Sequence, residues 1–294
     1  MLLAVPNFSE GRDTGTIDAI GASLGAQAAL LDVHSDATHH RSVFTLAGDE
    51  DALPAALLAG ARIAADTIDM RMTDGAHPCI GALDVCPLVY VTPDEREAAR
   101  RAALVVADAI AAALSIPVFL YGELASSEER RERAFFRRGG LDELARRMRE
   151  GELEPDRGPA EPHPSAGATL VTARAPLAAF NVVLDTRDIE IGRAVAAELR
   201  EAGGGLTGVR ALAIELPGGR VQVSTNVHDL TAVPLRLLVE EIRRLAALPA
   251  AKPVEAELVG LIPEAAVADD PGDVPIAGFD PDQHVIERRL AELE

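Results

Sequence analysis

The order of the predicted strands and helices most limits which folds this chain can adopt. Short apolar runs and helically spaced apolar residues alternate as β-α-β-β-α-β in the second half, and the first half follows the same order with one further helix and strand. The first-half elements are strands at 2–5, 29–33, 42–46, 82–91 and 118–121 and helices at 13–26, 51–70 and 94–114. Those of the second half are strands at 180–184, 209–216, 220–227 and 255–262 and helices at 189–202 and 235–248.

This order is the split βαβ, or ferredoxin-like, plan. We therefore predict an α/β (α+β) protein with two ferredoxin-like subdomains, each a mixed sheet with helices on one face. The repetition lies in the pattern of elements, since no repeat of the residues themselves is evident.

Two segments between the halves depart from this pattern. Residues 124–157 hold 9 arginines and 9 acidic residues, which favours a pair of solvated helices carrying i,i+4 ion pairs. Residues 151–167 contain four prolines, too many for a helix or a central strand. The proline-rich segment is therefore either an interdomain linker or a binding loop.

Charge excludes several classes of partner. The chain has 294 residues, 47 acidic against 28 basic, and a net charge of −19, so neither nucleic acid nor an anionic membrane is expected to bind. An anionic small molecule would need a local basic pocket. The two cysteines, Cys79 and Cys86, form no disulfide framework, which favours a reducing compartment. The N-terminus lacks a basic region, and Asp108 and Pro117 break the apolar run at 102–121, so we expect a cytoplasmic protein without a signal peptide or membrane span.

Four histidines stand in two clusters, at 32–41 and 75–84. The first supplies nitrogen and oxygen donors of the kind that zinc prefers, from Asp32, His34, Asp36, His39 and His40. It lacks the helical HExxH spacing, so we expect no metal. His39 and His40 are equally well explained as histidines that bond to the backbone.

His77 differs because it stands between Gly75 and Pro78, in a loop that follows a predicted helix and precedes a strand. An imidazole with a pKa of ~6.5 suits general acid–base catalysis near neutral pH. From spacing alone, a structural histidine explains the position equally well. The sequence has no dinucleotide-binding glycine motif, no P-loop and no CxxC pair.

Ordered motifs along almost the whole chain resemble those of the glutamate formiminotransferases, a family that includes the first half of formiminotransferase-cyclodeaminase. The matching motifs lie at 5–12, 32–36, 41–45, 75–78, 81–87, 118–123, 155–169, 180–182, 222–226, 258–261 and 279–287. The resemblance implies N- and C-terminal subdomains at 1–176 and 177–294, a folate-binding cleft between them and a homodimer. It also implies transfer of the formimino group from N-formimino-L-glutamate to N5 of tetrahydrofolate, as co-substrate, in histidine degradation.

The resemblance also assigns residues. The family's catalytic histidine corresponds to His77, with Asp36 or His34 as its orienting group or charge partner. The family's folate-binding segment corresponds to 158–168, and the residues proposed to contact folate there are Gly158, Pro159, Gly167 and Ala168. Arg12 and Arg41 are candidates for carboxylate binding, because a guanidinium holds a carboxylate bidentately.

The sequence departs from the family pattern at Asp74, where a lysine is common, and at Cys79, where an arginine is common. Both departures remove positive charge beside His77. Either arginines from 130–149 replace that charge, or the one-carbon donor differs. A folate-binding protein without catalysis is a further alternative, as is a metal-dependent hydrolase built on the first histidine cluster.

Overall fold

The structure, a computed structural model, describes residues 1–248, 250–267 and 272–293. The chain divides into an N-terminal unit, Met1–Ala175, and a C-terminal unit, Pro176–Glu294. Across the described ranges, no helix has the length and apolar character needed to cross a membrane.

All eight predicted elements of the first half are present in the N-terminal unit. In chain order this unit contains β1 (Leu2–Ala4), β2 (Asn7–Phe8), α1 (Thr14–Gly25), β3 (Ala29–Asp36), β4 (Arg41–Gly48), α2 (Ala52–Thr67), β5 (Leu83–Val89), α3 (Arg96–Leu114), β6 (Val118–Leu120), α4 (Arg133–Arg137), α5 (Gly140–Arg149) and β7 (Thr169–Arg174). Pro6 interrupts the first predicted strand and separates β1 from β2. Both pieces pair antiparallel with β4 and with β5, so together they act as one strand of the sheet.

The sheet of this unit has one strand that the sequence pattern did not predict. Its order is β3-β4-(β1, β2)-β5-β7-β6, and β7 pairs in parallel with both β5 and β6. Along β7 the buried side chains alternate between the two faces: Leu170 packs in one core and Val171 in another. A parallel strand buried on both faces is typical of a sheet covered on both sides.

Helices cover both faces of the N-terminal sheet, whereas one face was predicted. Helices α1, α2 and α3 pack on one face around Ile20, Phe44 and Val106. Helices α4 and α5 cover the opposite face with Phe136 and Leu144. The prediction of solvated helices at 124–157 is therefore wrong for α4 and α5, because one face of these helices is buried against the sheet. Arginines 130, 137 and 147 lie on the buried side.

The C-terminal unit has the predicted arrangement. Its elements are β8 (Ala178–Leu184), α6 (Ile189–Leu199), β9 (Val209–Glu215), β10 (Val221–Val227), α7 (Leu235–Ala247), β11 (Pro253–Leu258), α8 (Glu264–Val267), α9 (Pro281–His284) and α10 (Ile286–Ala291). The strand order β11-β8-β10-β9, antiparallel throughout, is that of a split βαβ fold. Helix α6 begins after Asp188, whose carboxylate accepts a hydrogen bond from the Glu190 amide at 3.0 Å. The α/β fold class and the two-sheet architecture are confirmed.

Candidate active site

Close backbone packing fixes both ends of the loop that carries His77. A Cβ at Gly75 would lie 2.5 Å from the carbonyl oxygen of His39, and a Cβ at Gly81 would lie 1.9 Å from that of Ala168. Only glycine fits at either position, so these contacts explain the two glycines that flank the histidine motif. The Ala76 amide also donates to the Thr38 carbonyl at 3.2 Å.

The hydrogen bonds of His77 determine its tautomer. Its Nδ1 lies 2.8 Å from the carbonyl oxygen of Pro78, which can only accept, so Nδ1 carries the hydrogen and Nε2 holds the lone pair. The Nη1 atom of Arg41 lies 2.7 Å from Nε2 and 3.1 Å from Nδ1. Burial, followed by the charges of Arg41, Arg137 and Arg133, lowers the pKa of His77 well below its ordinary value of 6.5. The half-buried ring is therefore neutral at physiological pH.

Arg41, at the start of β4, is half-buried and donates to His77. Among the described residues it has no carboxylate partner. Burial and the nearby charges of Arg137 and Arg133 lower its pKa to about 9, so the guanidinium still carries its charge at neutral pH. An unpaired cation in such a place is suited to bind an anion.

A second imidazole lies beside His77 and is oriented by Asp36. The Nδ1 atom of His39 lies 2.9 Å from Oδ2 of Asp36, and Oδ1 of Asp36 accepts from the amides of Thr38 and His39 at 2.6 and 2.7 Å. Burial raises the pKa of Asp36, but the hydrogen bonds from His39 outweigh it and hold the pKa at about 2. The carboxylate is thus ionised and rigidly held.

The other nitrogen of His39, Nε2, is buried and has no hydrogen-bond partner in the described part of the chain. The side chain is 9% exposed, and its ring centroid lies 6.4 Å from that of His77. Asp36 was predicted to orient His77, whereas in the structure its carboxylate bonds to His39. The spacing of an aspartate three residues before a histidine in a turn is the signal that could have identified this pair.

Arginines from the charge-balanced segment lie on the other side of the His77 loop. Arg137, on α4, forms an ion pair with Asp84, and Asp84 Oδ1 accepts from the Ile80 amide at 2.8 Å. The Arg137 side chain is 10% exposed, and its Nε is buried without a hydrogen-bond partner within the described ranges. The sequence identified no individual arginine of this segment as a site residue, because a balance of charges along the chain does not show which side chains are buried.

Arg133 precedes Arg137 by one helical turn. It is half-buried, and burial lowers the pKa of its guanidinium. Its guanidinium makes no hydrogen bond or ion pair with any residue that the structure describes. Arg174, at the end of β7, is a further half-buried cation whose charge interacts with that of Arg133; burial lowers the pKa of Arg174 to about 10.

Two other predicted residues lie nearby with different partners. His34 lies on β3 opposite Val43, on the same side of the strand as Asp36. Arg12 is exposed and binds Asp74, with 2.5 Å between Nη1 and Oδ1. The acidic residue that departs from the family pattern thus neutralises one of the two arginines predicted to bind carboxylates.

The proline-rich segment lies inside the N-terminal unit and is not the link between the units. His163 and Gly167 exchange backbone hydrogen bonds of 2.8 and 3.0 Å. The Ala168 amide donates to Ile80 at 2.9 Å, and Ala166 accepts from the amide of Ala82 at 2.9 Å. Gly167 and Ala168 therefore lie against the His77 loop, whereas Gly158 and Pro159 are exposed.

The alternative of a metal-dependent hydrolase finds no support in the geometry of the first histidine cluster. Within the described residues, no three histidine, cysteine, aspartate or glutamate side chains are placed to hold a metal ion. His40 lies beside Glu10, with 3.3 Å between Nδ1 and Oε1, and accepts from the Gly11 amide at 3.1 Å.

Comparisons with known proteins agree with the motifs. The family model for the formiminotransferase domain, N-terminal subdomain, matches residues 1–174, and that for the formiminotransferase domain matches residues 179–271. The chain is 37% identical over 268 residues to a glutamate formimidoyltransferase of Streptococcus pyogenes, covering 90% of both chains. It is 36% identical over 292 residues to that of Thermoplasma acidophilum, covering 97% of this chain and 96% of the relative. It is also 36% identical over 275 residues to the formimidoyltransferase-cyclodeaminase of Gallus gallus, covering 90% of this chain and 50% of that protein.

Proposed function

Because the chain belongs to the formiminotransferase family of transferases, we propose that it moves the formimino group of N-formimino-L-glutamate to N5 of tetrahydrofolate. The products are 5-formiminotetrahydrofolate and glutamate. The observation that carries the proposal is His77, a neutral imidazole whose Nε2 lone pair lies beside an unpaired guanidinium. Such a ring can accept a proton in one step and return it in the next.

The proton balance follows from that tautomer. N5 attacks the amidine carbon, a new C–N bond forms, and the N5 proton passes to Nε2 of His77. The tetrahedral intermediate then collapses, the bond to the glutamate nitrogen breaks, and His77 returns the proton to the departing amine. The imidazole ends neutral, so no further acid or base is consumed.

Arg41 has a role in releasing His77. Its Nη1 contacts the same nitrogen that must accept the proton. A donor carboxylate binds a guanidinium more strongly than a neutral imidazole does, since it brings an opposite charge and can accept two parallel hydrogen bonds from the guanidinium. Donor binding would therefore draw Arg41 away from Nε2 and free the base when substrate is present.

Asp36 acts through His39 rather than directly on His77. The Asp36 carboxylate lies 2.9 Å from Nδ1 of His39 and so orients the ring that lies beside His77. His34, on the same side of β3 as Asp36, is the alternative charge partner.

The segment at 158–168 is the proposed folate-binding segment. Its hydrogen bonds to Ile80 and Ala82 support this role, because they hold Gly167 and Ala168 against the loop that carries the proton acceptor. Gly158 and Pro159 would contact the more exposed part of the folate. Of the two arginines proposed for carboxylate binding, Arg41 is the better placed, since Arg12 is already paired with Asp74.

A single-turnover experiment tests the proposal. Enzyme with bound tetrahydrofolate is mixed with N-formimino-L-glutamate, and the product is followed by its conversion to the methenyl form. We expect transfer by the wild type and a loss of about 10²–10⁴-fold in His77→Ala. His284→Gln, a histidine replacement in the C-terminal unit, is the matched control.

Full transfer by His77→Ala would refute the catalytic assignment. A wild type that binds tetrahydrofolate without transferring the formimino group would instead favour a folate-binding protein or a different one-carbon donor.

A further inference from the structure

His77 has to become a cation during the proposed transfer, in surroundings that oppose a further positive charge. When N5 gives up its proton, the ring is charged until the departing amine takes the proton back. Burial and the charges of Arg41, Arg137 and Arg133 lower the pKa of this ring well below 6.5. Asp84 pairs with Arg137 and so offsets one of these charges. A base in such a place needs a further group that stabilises its protonated form.

His39 is a polar ring beside His77 and has one nitrogen without a partner. The two ring centroids are 6.4 Å apart, and the ring planes are tilted by 47°. Nε2 of His39 is buried and makes no hydrogen bond with any residue that the structure describes. A buried polar nitrogen without a partner costs free energy of folding. Because the side chain is only 9% exposed, we expect the missing partner to come from the protein itself rather than from solution.

Asp36 places a negative charge on the other side of His39. The ionised carboxylate can only accept hydrogen bonds, so Nδ1 of His39, 2.9 Å from Oδ2, carries a hydrogen. In a neutral His39 the lone pair is then on Nε2. The carboxylate is held in place by the amides of Thr38 and His39, at 2.6 and 2.7 Å. An acceptor with a carboxylate behind it stabilises a neighbouring imidazolium better than a neutral carbonyl group does.

We propose that Asp36 and His39 form a relay with His77, in which Nε2 of His39 accepts the Nδ1–H of His77 while His77 is protonated. The inference rests on the proposed function, because His77 gains its proton in that reaction. In the resting structure the same hydrogen is donated to the Pro78 carbonyl oxygen, 2.8 Å away. Nε2 of His77 remains the atom that exchanges a proton with the substrates, so the proton balance of the transfer is unchanged. His39 is thus a positioning residue that acts through His77.

The movement that the relay requires is small, and the departure of Arg41 permits it. A hydrogen bond of about 2.9 Å between two ring nitrogens brings the ring centroids to roughly 5 Å, so the His77 ring has to approach His39 by about 1 Å. In the resting structure Nη1 of Arg41 lies within 3.1 Å of both ring nitrogens of His77. When the donor carboxylate draws this guanidinium away, the ring loses a contact and a neighbouring positive charge together.

Asp36→Asn tests the relay while keeping the contacts that hold this turn. The asparagine oxygen can still accept from the two amides, whereas its NH₂ group donates to Nδ1 of His39 and moves the hydrogen of that ring to Nε2. His39 can then no longer accept from His77. We expect kcat to fall about 10- to 100-fold and KM for both substrates to stay within about two-fold, because the lost interaction exists only in the transition state.

The pH dependence of kcat separates the relay from a structural role. Its acid limb reports protonation of His77 in the complex with the substrates. Without the Asp36 carboxylate the protonated ring is less stable, so the limb should move to lower pH by about one unit. His39→Gln, whose amide oxygen can accept from His77, should recover part of the rate lost in His39→Leu. A fall in kcat without a shift of the acid limb would overturn the proposal.

The matched control is Asp66→Asn, a change of an exposed aspartate on α2. It should alter neither kcat nor the position of the acid limb.

An NMR titration of His77 tests the relay without the transfer reaction. It compares Arg41→Met, in which the ring is free of the guanidinium, with the double variant that also carries Asp36→Asn. The imidazole pKa should be about one unit lower in the double variant and should not change when Asp66→Asn is added instead. If the wild type transfers nothing but this shift is seen, the proposed function fails and the relay stands. If the wild type transfers the formimino group and Asp36→Asn changes neither the pKa nor kcat, the relay fails and the function stands.

Discussion

Replacing Asp84 with alanine should strongly destabilise the N-terminal unit. The Asp84 side chain is 1% exposed, and each of its oxygens has one partner, the Ile80 amide at 2.8 Å and the guanidinium of Arg137. Removing one member of a buried ion pair typically costs about 3–5 kcal/mol, because the other charge is left without compensation. The unpaired Ile80 amide alone would account for about 1–3 kcal/mol.

Urea denaturation measures this loss, and the sequence provides a selective probe. The chain has no tryptophan and two tyrosines, Tyr90 and Tyr121, both in the N-terminal unit, so tyrosine fluorescence reports on that unit alone. With a urea dependence of about 2 kcal/mol/M, a loss of about 4 kcal/mol lowers the midpoint by about 2 M. Asp66→Ala, an exposed aspartate on α2, should change the free energy of unfolding by less than about 0.5 kcal/mol.

A double variant separates the ion pair from the hydrogen bond. Arg137→Met in the Asp84→Ala background removes the uncompensated cation and should restore part of the lost stability, whereas independent sites would add. The reasoning would be refuted if Asp84→Ala cost less than about 1 kcal/mol, or if the double variant lost as much as the two single variants together.

Two further predictions concern the same loop. Because burial and the nearby arginines lower the pKa of His77, the unfolded chain binds more protons than the folded one below about pH 6.5, so stability should fall as the pH drops through and below this value. An NMR titration should place the imidazole pKa below 6.5 and show it rising in Arg41→Met; an unshifted value in the wild type would contradict the geometry. Gly81→Ala, whose Cβ would lie 1.9 Å from the Ala168 carbonyl oxygen, should lower the free energy of unfolding by about 1–3 kcal/mol and slow the transfer. Gly25→Ala, at the end of α1 with 3.7 Å to its nearest neighbour, serves as control and should not destabilise, and equal effects in both variants would show that the contact is unimportant.

Periodicity and turn residues predicted most strands and helices, because those signals are local. The helix after Asp13 and the hairpin around Gly218 and Gly219 are each specified by residues that are adjacent in the sequence. Strand β7 was missed because its six residues follow a proline-rich segment and its partners, β5 and β6, are distant in sequence. Parallel strands are joined by long crossover connections, so no short turn in the sequence indicates their pairing.

In the candidate site too, some residues have a local signal in the sequence and others do not. The loop of His77 stands out in the sequence because glycine and proline flank it, and the structure explains Gly75 and Gly81 by close contacts. Arg137 does not stand out, because its environment is set by Asp84, 53 residues earlier in the chain. Charge counted along a segment gives no indication of which arginines are buried, since burial depends on which face of the helix meets the sheet.

The central place of β7 in the sheet has a consequence for synthesis on the ribosome. Strands β5 and β6 are made long before Thr169–Arg174, which must later insert between them in parallel. Until that insertion, both strands present open backbone edges, and such edges are prone to pair with other chains. The contact between Ala168 and Ile80 that fixes the loop of His77 also forms only then. The pairing of β7 with β5 and β6 and the fixing of the His77 loop therefore occur in the same late step. A chain that ends before residue 169 would leave both strand edges unpaired and the loop unfixed.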